Sequence, residues 1–344
     1  MEDTSPKSKV ASSPEVRRRG EPWALGTVLG YALANICDGI AMKQANPANT
    51  PKSGNAEAFP VVLSTALGGA LLGTVLRGVP SLVLGIVLMG KHRTLSQLRP
   101  NSPQYIGLRP ILAFVAAGVI STFGLCMYYL AMSLGGVIIT VPVQETYVIW
   151  GTLIAWIFLR ERIHLFALLG VALIFLGLAG LSLGELRGQH ILPHWYWAIP
   201  LALITALTYG ISGVLWRDGQ LRGAHQSVAI FLQFSTSVAV AFAALVVAGR
   251  LPSLPTVQVR TLAALLASGV LSGVFAIYCM FTALRLMAVA RVYAFSSITP
   301  LLAPLFAHFF LHEFLNPLML MGIALVSVGV ILTQVFRPKD ERQA

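Results

Sequence analysis

Long apolar runs alternate with short polar segments along most of the chain. A helix crosses the hydrocarbon of a bilayer in about 20 residues. A continuous apolar run of that length predicts a helix, because lipid offers no hydrogen-bond partners and a helix satisfies its backbone groups internally. The ten runs of this kind cover residues 23–42, 62–90, 110–132, 137–159, 163–183, 195–216, 227–249, 261–284, 289–311 and 315–336. We therefore predict an all-α membrane protein with ten transmembrane helices. The second run exceeds one perpendicular span, so we expect it to tilt, to kink near Gly78–Pro80 or to begin outside the bilayer.

Composition supports the same class of protein. Of the 344 residues, 56% are apolar and 11% are charged, and the mean hydropathy is +0.76. A soluble domain carries roughly a quarter charged residues, so this composition argues against a soluble enzyme, a nucleic-acid-binding module and a disordered scaffold. The cysteines Cys37, Cys126 and Cys279 lie within apolar runs, which indicates neither a disulfide framework nor a cysteine metal site.

The distribution of basic residues predicts the orientation. With the amino terminus placed in the cytoplasm, the inside segments hold 18 lysines and arginines and the outside segments hold 5. This bias is the positive-inside signal, so the polar tails 1–22 and 337–344 are both expected in the cytoplasm. The net charge of +11 is spread between the apolar runs, which indicates a lipid bilayer and no nucleic acid as the partner. The excess of 18 arginines over 6 lysines favours a bacterial inner membrane.

The chain contains an internal repeat. Residues 158–180 and 310–332 are identical at eight of 23 positions when they are aligned with an offset of 152 residues. The matches include Glu161 with Glu313, and a shared glutamate is not expected from two leucine-rich helices by composition alone. The chain is therefore interpreted as five spans in residues 23–185 followed by five spans in residues 194–336.

An odd number of spans in each repeat places the two halves in opposite orientations. Glu161 is then expected on the cytoplasmic side and Glu313 on the outer side. Inverted repeats are typical of secondary transporters, because two halves related by a pseudo-two-fold axis can rock around a site between them. The predicted fold is thus a 5+5 inverted repeat.

These residues carry a resemblance to a known family. The pattern Phe-Leu-x-Glu, followed by Gly170-x-Ala172-Leu173-Ile174-x-x-Gly177, resembles the EamA-type repeat of the drug/metabolite transporter superfamily, and a second copy carries Thr299-Pro300 before Glu313. The resemblance implies a ten-helix transporter of small organic metabolites, which in many members exports amino acids or related solutes. It also implies that the third, fourth, eighth and ninth spans surround the central cavity. The first copy departs from the pattern, since Glu145 and Tyr147-Val148 stand where the second copy has Ser297 and Thr299-Pro300.

Three ionisable residues are expected at a similar depth in the membrane. Asp38 lies in the first span, Arg77 in the second and Glu145 in the fourth, and charged groups within spans usually face a cavity or one another. We hypothesise a proton-linked site in which Glu145 and Asp38 carry the proton. Arg77 would be their partner or the anchor of a substrate carboxylate. The structural alternatives are that Asp38 extends to the outer surface and that Arg77 only forms a structural ion pair.

Polar side chains collect in the fourth and ninth spans. Expected substrate-binding residues, besides Arg77, are Gln144, Tyr147, Tyr293, Ser296, Ser297 and Thr299. Prolines in these spans free backbone carbonyls, which membrane helices tolerate where the carbonyls line a cavity. The alternative is that the hydroxyls form hydrogen bonds between helices. Asn35, Tyr209 and Gln233 are weaker candidates for the lining.

The repeated glutamates have a structural interpretation. Glu161 and Glu313 each precede the next helix in a short turn, and a carboxylate near a helix amino terminus is stabilised by the exposed N–H groups. Arg291 and His308 lie near span ends and are expected at the interface. The two histidine pairs spaced four apart lack a third ligand, so neither a metal nor a cofactor is expected. Three GxxxG pairs suit close helix packing, and a homodimer is one arrangement that they allow.

The best interpretation is a secondary active transporter of a small metabolite, working by alternating access and coupled to protons. No Walker lysine loop is present, so ATP does not drive transport within this chain. A passive channel or a lipid flippase is the alternative that the sequence leaves open. A membrane-embedded enzyme is less favoured, because no nucleophile or metal constellation is seen near a membrane face.

Overall fold

The described part of the chain is helical throughout its regular structure. The computed structural model describes residues 14–45, 59–147, 150, 154, 165–186, 194–249, 258–286, 295 and 298–335. Its α-helices are α1 (Pro14–Ala45), α2 (Phe59–His92), α3 (Leu108–Gln144), α4 (Leu165–Leu186), α5 (Ala198–Leu221), α6 (Gln226–Val247), α7 (Val259–Ser268), α8 (Ile277–Leu286), α9 (Thr299–Leu311) and α10 (Pro317–Val335). A π-helical segment, Gly269–Ala276, joins α7 to α8 without interruption.

Among the described residues, six helical stretches are long and apolar enough to cross a membrane. They are Gly20–Gln44, Ala66–His92, Leu108–Gln144, Trp195–Gln220, Gln226–Val247 and Val259–Met280. Shorter apolar stretches occur in α4, α9 and α10. The predicted class, an all-α multi-pass membrane protein, is thus confirmed. The count of ten spans stays a prediction, because much of 137–159 and of 289–311 lies outside the described residues.

The helix α3 is broken at Gly136. This glycine has φ 69° and ψ −173°, a conformation that a residue with a side chain rarely adopts. Ala131 and Val143 would be about 18 Å apart along a straight helix. Both nevertheless belong to one buried cluster with Ala198 of α5. The chain therefore turns back at Gly136, which agrees with the predicted boundary between the third and fourth runs. We call residues 137–144 the return segment.

The last helices of the two repeats, α4 and α10, cross through glycines. A Cβ on Gly177 would lie 2.5 Å from the carbonyl oxygen of Gly322, and a Cβ on Gly329 would lie 2.5 Å from that of Gly170. A later residue of α4 contacts an earlier residue of α10, so the two helices are antiparallel. The 152-residue offset converts the first contact into the second, and the crossing is therefore pseudo-symmetric. The matched helices of the two repeats run in opposite directions, as an inverted arrangement requires.

The other helices pack around α1, α2 and α3. Helix α3 lies along α5, α2 along α6, and α1 along α7, the π-helical segment and α8, while α9 packs against both α1 and α3. The bundle has two ends, which we name the Gly136 end and the His225 end after one residue at each. At the Gly136 end, the buried side chains of Met42, Val137 and Leu311 belong to one apolar core.

Helix α2 is 34 residues long, which corresponds to about 51 Å, and it includes Pro80 without a break in the helix. This length exceeds the hydrocarbon thickness of about 30 Å. The helix therefore has to tilt, bend or extend beyond the bilayer, and its backbone stays helical through Gly78–Pro80. Which of the three arrangements applies stays a prediction.

Candidate functional site

A buried ion pair joins the first two helices. Asp38 on α1 and Arg77 on α2 are 2.6 Å apart between Oδ2 and Nη1, and the Asp38 side chain is fully buried. The alternative in which Asp38 extends to the membrane surface is therefore wrong. Arg77 was expected near Asp38 and Glu145, and the structure pairs it with Asp38.

Two further elements satisfy the polar atoms of this ion pair. The Tyr129 hydroxyl on α3 donates to Asp38 Oδ1 over 3.0 Å, and Arg77 Nε donates to Ser272 Oγ over 3.0 Å. The guanidinium carbon lies 5.8 Å from the centre of the Tyr128 ring, within the range of a cation–π interaction. We call Asp38, Arg77, Tyr128, Tyr129 and Ser272 the ion-pair cluster. Its charges balance, which is how a buried pair avoids the large penalty of an isolated charge.

The π-helical segment explains how Ser272 reaches Arg77. A Cβ on Gly269 would lie 3.0 Å from both the Cα and the carbonyl oxygen of Arg77, so α2 passes close to this segment. The Ser272 hydroxyl also donates to the carbonyl of Ser268 over 2.7 Å. π-Helical geometry often occurs at functional sites, and here it accompanies a close approach of α2 to the second half of the chain.

Glu145 follows the return segment directly. Its backbone N–H donates to the carbonyl of Val141 over 3.0 Å, which continues the helical path from Gly136. Among the described residues, the Glu145 carboxylate forms no ion pair, whereas Asp38 pairs with Arg77. Glu145 and Asp38 were proposed together as proton carriers, and the structure gives them different surroundings.

Tyr209 lies near these charged groups. It belongs to α5, in the second half of the chain, and is close enough to Arg77, Asp38 and Glu145 for their charges to act on its hydroxyl. The sequence placed Tyr209 only among the weaker lining candidates. Tyr128, Tyr129 and Ser272 were not predicted as site residues at all, and the only available signal was the adjacent pair of phenols within an apolar span.

The other expected binding residues do not form one described group. Gln144 is half-buried at the end of the return segment, whereas Tyr147 packs against Ile174, Val326 and Val330 of α4 and α10. Thr299 begins α9 and is 2% exposed. Tyr293, Ser296 and Ser297 lie outside the described residues, as do Glu161 and Arg291. Their assignment as binding residues stays a prediction.

A second polar group lies between α3 and α6. Thr122 Oγ1 donates to Ser237 Oγ over 2.8 Å, and Gln233 Nε2 donates to Ser121 Oγ over 3.2 Å. We call these four residues the hydroxyl cluster. It contains no charged side chain and agrees with the interpretation of hydroxyls as links between helices.

The structure corrects the expected role of Glu313. This residue lies in the turn between α9 and α10, but the first turn of α10 is capped by Asn316, whose Oδ1 accepts from Met319 N over 2.8 Å. The Glu313 carboxylate instead accepts from Val137 N over 3.0 Å and from Ile138 N over 2.9 Å. It therefore stabilises the start of the return segment, in the other half of the chain. His308 is exposed, and its Nδ1 lies 2.8 Å from the Glu313 carbonyl oxygen.

Comparison with known proteins identifies the family. Residues 58–183 and 196–335 each match the model of the EamA-like transporter family, which confirms the two-copy resemblance found in the sequence. A solved structure described as "Crystal structure of protein" superposes with a TM-score of 0.54 and 18% identity, over 91% of this chain and 97% of that chain. At this identity the likeness concerns the fold alone. No curated protein matches the chain. The two family matches together span most of the sequence, and the chain belongs to the EamA-like transporter family.

Proposed function

We propose that this chain is a secondary transporter that carries a small polar or amphipathic metabolite by alternating access, coupled to protons. Membership of a transporter family and the antiparallel α4–α10 crossing support the proposal. The observation that carries it is the meeting of both halves at the ion-pair cluster, where Arg77 of the first half pairs with Asp38 and donates to Ser272 of the second half over 3.0 Å. A site between two oppositely oriented halves can be exposed to each side in turn.

The two acids have different roles in this proposal. Asp38 is balanced by Arg77, so its charge does not need an ion from solution. Glu145 has no counter-charge among the described residues, and an unbalanced carboxylate inside a membrane-spanning bundle costs free energy that binding of a proton removes. Glu145 is therefore the proton carrier of the proposal, and the ion-pair cluster is the fixed wall beside it.

The remaining assignments follow from the sequence. Both termini are placed in the cytoplasm of a bacterial inner membrane, which puts the Gly136 end outside. The substrate is an amino acid or a related solute, moved in the export direction. Its polar groups contact the return segment and the start of α9, where Gln144 and Thr299 lie.

Counterflow in proteoliposomes tests the carrier mechanism. Vesicles are loaded with an unlabelled mixture of the protein amino acids and diluted into the same mixture labelled with ¹⁴C. A carrier takes up label faster when the inside is loaded, because each inward step is completed by a loaded outward step. Flux without this stimulation would identify a channel and refute the proposal.

The Glu145→Gln variant tests the proton role. It removes the titratable group and keeps the shape of the side chain, so exchange should persist while accumulation driven by a pH gradient is lost. Asp218→Asn is the matched control, since Asp218 is an acid at the His225 end that pairs with Arg222 over 3.0 Å. Full pH-driven accumulation in the Glu145→Gln variant would contradict the role of Glu145.

A further inference from the structure

The return segment begins with backbone N–H groups that its own helix cannot satisfy. The first N–H groups of any helix lack partners within that helix, and the break at Gly136 creates such a start inside the bundle. Val137 N and Ile138 N each donate to one oxygen of Glu313, over 3.0 and 2.9 Å. Bonds from N–H groups to a carboxylate are stronger than bonds between neutral groups.

Gly136 is fitted to this carboxylate as well as to the turn. A Cβ at this position would lie 2.8 Å from one carboxylate oxygen of Glu313 and 2.9 Å from the other. The positive φ of 69° and the close approach of Glu313 therefore both favour glycine. The turn and the carboxylate form a single unit.

This contact joins the two halves of the chain. Glu313 belongs to the second repeat, whereas the return segment belongs to the first repeat and leads directly to Glu145. The turn that holds Glu313 does not need it for α10, because Asn316 caps that helix and also donates to the carbonyl of Gly184 over 2.6 Å. The Glu313 carboxylate therefore binds the first half of the chain and not the helix that follows it.

A third helix is held at the same place. Lys43 on α1 donates to the carbonyl of Leu311 over 3.2 Å and interacts electrostatically with Glu313. Beneath these polar contacts, Met42 and Val137 are fully buried. The Gly136 end is therefore closed where α1, the return segment and the end of α9 meet.

We propose that Glu313 is a positioning residue of the transport site: its carboxylate holds the start of the return segment against the second half, and the Gly136 end opens when this contact breaks. The inference rests on the proposed function, because it assigns the contact a role in alternating access. Motion of the α9–α10 turn is then transmitted along the return segment to Glu145. Lys43 supports the closed arrangement from α1.

Cysteine labelling in intact cells tests the inference. The parent protein carries T140C in a background in which Cys37, Cys126 and Cys279 are replaced by alanine. Thr140 is fully buried, and its hydroxyl has no partner among the described residues, so it reports opening of the Gly136 end to an impermeant cationic methanethiosulfonate. E313Q should raise the labelling rate about ten-fold or more, the factor that loss of one charge-assisted hydrogen bond corresponds to.

Two further variants separate positioning from a general loss of stability. N316A, which removes a cap in the same turn, should leave the labelling rate within about two-fold of the parent, and E313D, which keeps the carboxylate, should restore much of the protection lost in E313Q. In nanodiscs, backbone hydrogen exchange of residues 137–145 should be faster in E313Q than in the parent. The double variant G136A/E313Q should be labelled little faster than either single variant, because both substitutions disturb the same contact.

The outcomes distinguish this inference from the proposed function. Equal labelling of E313Q and the parent, or an equal rise in N316A, would overturn the role of Glu313 even if counterflow is observed. If E313Q raises the labelling rate but the protein shows no counterflow, the Glu313 contact still acts as a gate and the carrier mechanism is refuted. Both results together support the complete proposal.

Discussion

The ion-pair cluster and the hydroxyl cluster lie beside corresponding helix contacts in the two repeats. Ser81 and Gly273 are in close contact between α2 and the π-helical segment. By the 152-residue offset, Ser81 corresponds to Gln233 and Gly273 corresponds to Ser121. Gln233 and Ser121 are hydrogen-bonded in the hydroxyl cluster. The backbone therefore repeats the same approach of helices on both sides of the pseudo-two-fold axis.

The chemistry of the two places differs. The position equivalent to Arg77 is Ala229, which is fully buried, and the position equivalent to Tyr129 is Phe281, which has no hydroxyl. Within the part of the chain that the structure describes, charge thus lies on one side, while the other side is held by neutral hydrogen bonds. The comparison shows that the pseudo-symmetry belongs to helix packing and that the candidate site is a departure from it.

Removing one charge should produce the largest effect. Arg77→Met leaves Asp38 as an uncompensated buried charge, so the free energy of unfolding should fall by about 3–5 kcal/mol. Denaturation by sodium dodecyl sulfate in mixed micelles measures the change. Arg77→Met combined with Asp38→Asn should recover most of the loss; a double variant as unstable as the single one would mean that the charge balance is not what matters.

A smaller effect is expected from the hydroxyl that binds Asp38. Tyr129→Phe removes one hydrogen bond to a buried carboxylate, which should lower the free energy of unfolding by about 1.5–3 kcal/mol. Tyr128→Phe is the matched control, since that hydroxyl donates to the neutral amide oxygen of Asn35 over 2.8 Å and its loss should cost less. The same unfolding assay ranks the two variants, and the opposite order would argue against a charge-centred cluster.

Of these three substitutions, the one in the hydroxyl cluster should lower the free energy of unfolding least. Thr122→Val removes the bond to Ser237, and hydrogen bonds between membrane helices contribute about 0.6 kcal/mol on average. The expected loss in the unfolding assay is therefore a few tenths of a kcal/mol to about 1 kcal/mol. A loss as large as that of Arg77→Met would make the two clusters energetically equivalent and remove the basis of the comparison.

The sequence predicts the fold more fully than the site. Apolar runs mark the spans, and the gap between residues 132 and 137 correctly places the turn at Gly136, because these signals depend on local composition. The pairing of Asp38 with Arg77 was also accessible, since two opposite charges in an apolar environment have few other partners.

Contacts between distant segments could not be predicted in the same way. Ser272 reaches Arg77 through a π-helical segment, and nothing in the local pattern of small and apolar residues distinguishes that segment from an ordinary helix. Glu313 was assigned to the helix that follows it, whereas its N–H partners lie at Val137 and Ile138, in the other repeat. A local pattern identifies a group that needs a partner, and the tertiary fold decides which partner it receives.

The α4–α10 crossing has the form of a two-fold dimer interface enclosed within one polypeptide. In a dimer of identical chains, every substitution appears twice, so an arginine on one side would bring a second arginine to the other. In a fused chain the Gly177–Gly322 and Gly170–Gly329 contacts can keep the halves together while each half changes independently. Fusion is thus what allows one copy to carry a single guanidinium and the other copy a methyl group at the matching place.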